Sequence, residues 1–285
     1  MVTPCLADNL ACCISQAQRD LLAAGLGNPV SPHCAALART LPLTHARTSA
    51  QFVRIVRDEK GIGPKLLSPL KVAEYFGIPV RPESAEVALG TQEFVFLYCG
   101  QFRYPQTQAG FLFATTLEEG HPATSEASPF DSGALHKYVA WPDPSESAKA
   151  FLSRHSLPVP EYREYLAYRL EHLFADPEDY LERSNLPIRS DPIGLRPKPP
   201  GTGADPRLWT FVVRMRDEVT LGAPQLLAVF YLARLQTDSN IVKFLAAQAD
   251  GVHVEQMFDD DDDAFGGLQN RCLDYLRARG IVPGD

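Results

Sequence analysis

LPLTHARTSAQFVRIVRDEKGIGPKLLSPL, residues 41–70, places a histidine in a short polar and β-branched run, then an apolar helix, then a glycine-ended loop. The run LTHARTS reads as a strand or turn. In QFVRIVRDEKG, Phe52, Ile55 and Val56 fall on one face of a helix that stops near Gly61. Upstream, Leu10, Cys13, Ile14, Ala17, Leu21, Leu22 and Leu26 repeat at three- and four-residue spacings, as in an amphipathic helix over 8–26. Ser31-Pro32 reads as an N-cap with proline in the first turn, opening a second helix over His33–Leu41. Residues 1–40 are therefore expected to form a helical cover ahead of a sheet.

Downstream, Val72–Phe76 predicts a helical turn, and EFVFLYCGQ (Glu93–Gln101) and GFLFATT (Gly110–Thr116) are β-rich runs. They suggest adjacent strands joined by the loop Phe102–Ala109. Closely spaced prolines and glycines over 117–147 predict a long structured loop. Residues 145–186 turn helical, with Tyr165, Leu166, Arg169, Leu170 and Leu173 in register behind Pro160-Glu161. A proline- and glycine-rich connector spans 187–206. The chain then returns as strand, turn and strand over Trp209–Arg214 and Leu226–Leu232. A helix in NIVKFLAAQADG, a short run VHVEQMF and a closing helix LQNRCLDYLRARG follow. The organisation expected is a cover (1–40), an α+β core (41–256) with its helical insertion and connector, and an acidic loop with a C-terminal helix (257–285).

Composition narrows the classes of function. In 285 residues, 45% are hydrophobic, ample for a packed core. The mean hydropathy of -0.15 and the lack of an apolar run near the ~20 residues of a membrane span argue for a soluble chain. The N-terminus has no basic start, apolar core and small-residue cleavage site, so no secretory leader is expected. Cys5, Cys12, Cys13, Cys34, Cys99 and Cys272 show neither CxxC spacing nor a disulfide framework and read as free thiols in a reducing cytoplasm. A net charge of -8 disfavours bulk coating of nucleic acid. Asp259–Asp263 reads as a solvated loop, since five adjacent carboxylates cannot converge on one ion, and no metal site is expected.

No Walker loop, GxGxxG, GxSxG or HExxH motif occurs. The order of elements resembles the histidine-tyrosine-glutamate branch of NAD-dependent mono-ADP-ribosyltransferases. LTHARTSAQFVRIVRDEKGI looks like the family's first strand and helix, with His45 in the position that holds the cofactor ribose and Thr48 just after it. EFVFLYCGQFRYPQTQAGFLF offers Tyr98 and Tyr104 for the tyrosine that stacks on nicotinamide. The family's glutamate commonly starts a strand like that of TFVVRMRDEVTLGAP, but Val212 and Val213 stand where it is expected. Glu255 in GVHVEQM is the carboxylate left to stabilise the transition state, and Glu218 sits in the turn.

The resemblance implies an α+β fold with a split mixed or antiparallel sheet flanked by helices. It also implies NAD as substrate, a macromolecular acceptor and the role of an intracellular bacterial toxin or defence effector, with scope for a neutralising partner. In SEASPFDSGALHKYVAW, Asp131 and Ser132 form a tight turn that can face the ligand or simply pin the loop. Two other readings stay open: a non-catalytic binding module with a vestigial pocket, and a hydrolase built from Ser132, Asp131 and His121 or His136.

Overall fold

The computed structural model describes residues 29–57, 61–77, 85–104, 107–120, 125–133, 139–140, 147–159, 161–182, 187–189, 196–197, 206–248, 251–257 and 264–282. The helix expected over 8–26, Cys5, Cys12, Cys13, His121, His136, most of the connector and the Asp259–Asp263 run lie outside them.

Ser31 caps helix α1 (Pro32–Thr40) by accepting the Cys34 N–H at 3.2 Å, and the same hydroxyl donates to Glu171 at 2.6 Å. Strand β1 (Leu43–Arg47) and helix α2 (Ser49–Arg57) follow, as the opening stretch implies. Phe52 of α2 is fully buried and lies against the rings of Phe111, Tyr231 and Phe244, a burial worth about 1.5–3 kcal/mol. Strand β2 (Lys65–Leu67) leads to α3 (Pro69–Phe76), capped by Ser68 at its start and by left-handed Gly77 at its end. Helix α4 (Ala85–Leu89) precedes β3 (Phe94–Cys99), and β4 (Ala109–Phe113) comes next.

The fold is α+β, with a mostly antiparallel mixed sheet flanked by helices. The strands after β4 are β5 (Ser125–Ser128), β6 (Val139–Ala140), β7 (Leu157–Pro158), β8 (Arg196–Pro197), β9 (Val212–Arg216), β10 (Glu218–Thr220), β11 (Leu226–Leu232) and β12 (His253–Met257). The main sheet runs β12-β11-β4-β1-β3-β9-β5-β7, parallel only at β11–β12, while β10–β2 and β6–β8 are separate pairs.

This order corrects two expectations. β3 and β4 are not neighbours, because β1 is inserted between them and pairs with both. β9 and β11 are likewise separated by β3, β1 and β4. In both cases a run of apolar residues marks a strand without naming its partner. Strands also form where none is expected: β2, β7 and β10 arise in stretches read as loop, helical and turn, and SEAS forms β5 and pairs with β9, although serine, glutamate and alanine have little intrinsic strand preference. Trp209 falls in a 3₁₀ turn (Pro206–Trp209), which moves the start of β9 to Val212.

Helices α5 (Thr116–Glu119), α6 (Ala148–Arg154), α7 (Tyr162–His172), α8 (Ser239–Ala247) and α9 (Ala264–Ala278) complete the covering layers. At Gly110 a side chain would meet the Phe102 ring at 2.5 Å, so only glycine lets that ring lie on the sheet. A buried ion pair joins the layers. Arg163 donates through Nε to Glu118, and through Nη1 to the Ala38 and Leu41 carbonyls at 2.6 and 2.9 Å, satisfying the end of α1. The second Glu118 oxygen accepts from Tyr162 at 2.6 Å.

Removing one member leaves the other buried without its counter-charge, so Glu118→Ala should cost about 3–5 kcal/mol in urea denaturation. Changing both Glu118 and Arg163 to Met should not recover the loss, because the α1 carbonyls would remain without donors. A double variant as stable as the native chain would show that the pair is dispensable.

Candidate functional site

β1 and β3 are in register only at Leu43–Cys99 and Thr44–Tyr98, and then part. His45 occupies the parting. Its Nδ1 lies 2.7 Å from the Phe96 carbonyl. A carbonyl can only accept, so Nδ1 carries the proton and Nε2 keeps its lone pair. That Nε2 is buried with no hydrogen-bond partner among the described residues. Burial, with the charge of Arg47 as the second cause, holds the imidazole well below its ordinary range and therefore neutral.

Arg47, two residues on in the same strand, is half-buried and makes no side-chain hydrogen bond or ion pair among the described residues. Burial lowers its guanidinium to about 10, with Tyr104, Tyr98 and Glu86 offsetting part of that cost.

On β3, Tyr98 is buried and donates a short hydrogen bond to Asp131 Oδ2. Burial raises its hydroxyl well above the usual tyrosine range, the Asp131 charge adds to this, and Arg207 opposes it. Asp131 and Ser132 are themselves buried in the turn after β5. That turn is held by the Asp131 N–H on the Arg207 carbonyl at 3.0 Å and by Ser128 Oγ on the Phe130 carbonyl at 2.7 Å. Tyr104 is half exposed, with the Arg207 guanidinium 5.8 Å from its ring centre. Arg207 is thus shared by Tyr98 and Tyr104, and Arg214 of β9 adds a buried cation paired with Glu126 at 3.1 Å.

The expected residues are therefore sorted by the pleat. Tyr98, Tyr104 and Asp131 gather around Arg207, and Ser132 follows Asp131 in the same buried turn. By register, Tyr98 shares a sheet face with Thr44, whereas His45 alternates to the other side and turns into the gap. Thr48 bonds Gln51 Oε1 through both its N–H and hydroxyl, at 3.2 and 3.3 Å, which organises the start of α2.

Glu255 does not join them. It lies on the outer strand β12, three strand steps or roughly 14 Å from β1 at ~4.8 Å per step. Its carboxylate is engaged by Arg271 at 3.1 Å and by His253 at 3.0 Å. Val212, fully buried, stands directly opposite Tyr98 on β9, and the carboxylate found at the Tyr98 hydroxyl is Asp131. Sequence reading missed Arg47 and Arg207. Strand alternation from His45 is a signal that points to Arg47, whereas nothing local marks Arg207.

The stretch 41–76 also encloses a cavity of about 180 Å³, bounded by the end of β1, one face of α2, the loop at Ile62 and Gly63, β2 and α3.

Compared with known proteins, the chain matches no family model, no curated protein and no solved structure.

Because His45 is held neutral in the fold but titrates near its ordinary value of 6.5 once unfolded, the unfolded chain takes up the extra proton as pH falls. Its share of stability is complete above pH 6.5 and is lost toward the depressed folded value, at a limiting slope of about 1.4 kcal/mol per pH unit. Urea titrations between pH 7 and 5 should show a shallower fall for His45→Gln than for the native chain.

Proposed function

We propose that the chain binds NAD over β3, at the parting of β1 and β3, and transfers its ADP-ribose to a macromolecular acceptor. The observation that carries this reading is the Asp131 carboxylate fixed at the Tyr98 hydroxyl, with Arg207 shared between Tyr98 and the exposed ring of Tyr104.

In this reading Tyr104, being exposed, offers its face to the flat cationic nicotinamide ring, which buried Tyr98 cannot do. Tyr98 positions Asp131. The Asp131 carboxylate faces the positive charge that develops on the ribose as its bond to nicotinamide breaks. Arg207 offers a guanidinium to the cofactor's phosphates. His45, neutral and with its Nε2 buried on the other sheet face, borders this site without reaching the cofactor. An acceptor nucleophile then attacks the ribose carbon and releases its proton to solvent. The intracellular toxin or defence role implied by the resemblance belongs to the same proposal.

A second reading is favoured by one observation: Val212 faces Tyr98 where a strand-borne carboxylate would stand. Under it, the chain binds NAD or a similar ligand without turning it over.

Incubation with labelled NAD and cell lysate separates the two. Transfer of label to protein or nucleic acid is expected, with Asp131→Asn lowering the rate on the order of a hundredfold and Glu255→Gln leaving it unchanged. Stabilisation by NAD without label in any lysate would establish the binding module. Transfer insensitive to both Asp131→Asn and Tyr104→Ala would overturn the site.

A further inference from the structure

The cavity between α2, β2 and α3 has a chemistry of its own. We propose that it binds a flat-ringed phosphomonoester of mononucleotide size, with its phosphate on Arg47 and its ring against Val72 and Phe76. This inference does not depend on NAD being a substrate.

Three cations, Arg47, Arg54 and Lys65, line the cavity, and among the described residues its wall holds no carboxylate. Lys65 is already paired with Glu218 at 2.6 Å. Among the described residues the two arginines are not: Arg54 makes a contact over the Phe76 ring at 5.5 Å and no ion pair, and Arg47 makes no side-chain hydrogen bond or ion pair. Glu86 offsets part of the cost of taking the Arg47 guanidinium out of water but makes no hydrogen bond or ion pair with it, and a phosphate with bidentate geometry would offset the rest.

The rest of the wall fits the rest of such a ligand. Gln51 and Arg54 lie three residues apart on one face of α2, while Phe52 and Val56 point from the other into the core. Gln51 Oε1 is taken by Thr48, so its amide N–H groups remain for the cavity. Val72 and Phe76, a helical turn apart on α3, supply an apolar floor, and Arg54 already holds the Phe76 ring. The volume of about 180 Å³ is below the ~300–1,000 Å³ of sites that enclose drug-sized ligands, which favours a single nucleotide over a dinucleotide.

Calorimetric titration of the full chain with AMP, adenosine and inorganic phosphate tests this. AMP should bind with an affinity that falls as salt rises, and adenosine should not bind over the same range. Arg47→Gln should weaken AMP binding on the order of tenfold or more, the usual worth of a charge-assisted contact. It should also raise the thermal midpoint of the ligand-free protein, because an unpartnered cation is removed, an effect that no purely structural role for Arg47 would produce. Arg54→Ala, an exposed position, should weaken AMP with the midpoint unchanged, and it decides the matter if the Arg47 variant fails to fold. Adenosine binding as tightly as AMP, no AMP binding at millimolar concentration, or native affinity in Arg54→Ala and any folded Arg47→Gln would overturn the proposal.

Discussion

The buried pairing of Arg163 with Glu118 governs how the chain enters its sheet. A guanidinium carried by α7 reaches the last carbonyls of α1 and a carboxylate of α5 at once, so three covering elements meet where β1 begins. From that point Pro42 accepts the Gly100 N–H at 2.7 Å, and Gly100, at φ 93°, turns the chain out of β3 in a conformation suited to glycine. Tyr180 donates to the Cys99 carbonyl and accepts from the Phe211 N–H, both at 3.1 Å, tying the end of β3 to the start of β9. This end of the central strands is thus closed by a network of buried hydrogen bonds, in which Arg163 Nη2 alone of that guanidinium's nitrogens lacks a partner among the described residues, an arrangement that tolerates little displacement.

The opposite end is built differently. There β1 and β3 lose their ladder, His45 fills the gap with a ring that satisfies one nitrogen and not the other, and Arg47 sits half-buried with no ion pair among the described residues. Arg207 and Arg214 add positive charge on the neighbouring face, so a molecule of net charge -8 concentrates cations where its sheet opens. A densely hydrogen-bonded end beside one where His45 Nε2 and Arg47 lack hydrogen-bond partners among the described residues is what a site supported by a rigid frame requires.

Much of the local structure was legible in the residues. The cap at Ser31-Pro32, β1 at LTHARTS, the apolar face of α2 and the closing helices follow from capping chemistry and period, which act within a few residues. The pairing of strands was not legible, since FVFLYC and AGFLF are equally apolar on both sides and nothing in either run says that β1 will lie between them. The site divided along the same line. Tyr98 could be picked out as a strand-end tyrosine, but its partner Asp131 comes from a turn 33 residues away, and Arg207 from a 3₁₀ turn beyond the connector.

By itself the sequence determined the class of fold, the capped helices, the apolar strands and the concentration of polar chemistry around residues 41–70, because propensity, period and capping are local properties. The tertiary structure alone decided that His45 would face a gap while Tyr98 faces Asp131, that Glu255 would stand at the sheet's far edge beside Arg271, and that α2, β2 and α3 would enclose a cavity rimmed with cations. The physical reason is that strand order and register are set by which faces can be buried together. A register shift of one residue moves every side chain of a strand to the other face of the sheet, and a change of one place in the strand order gives it different neighbours.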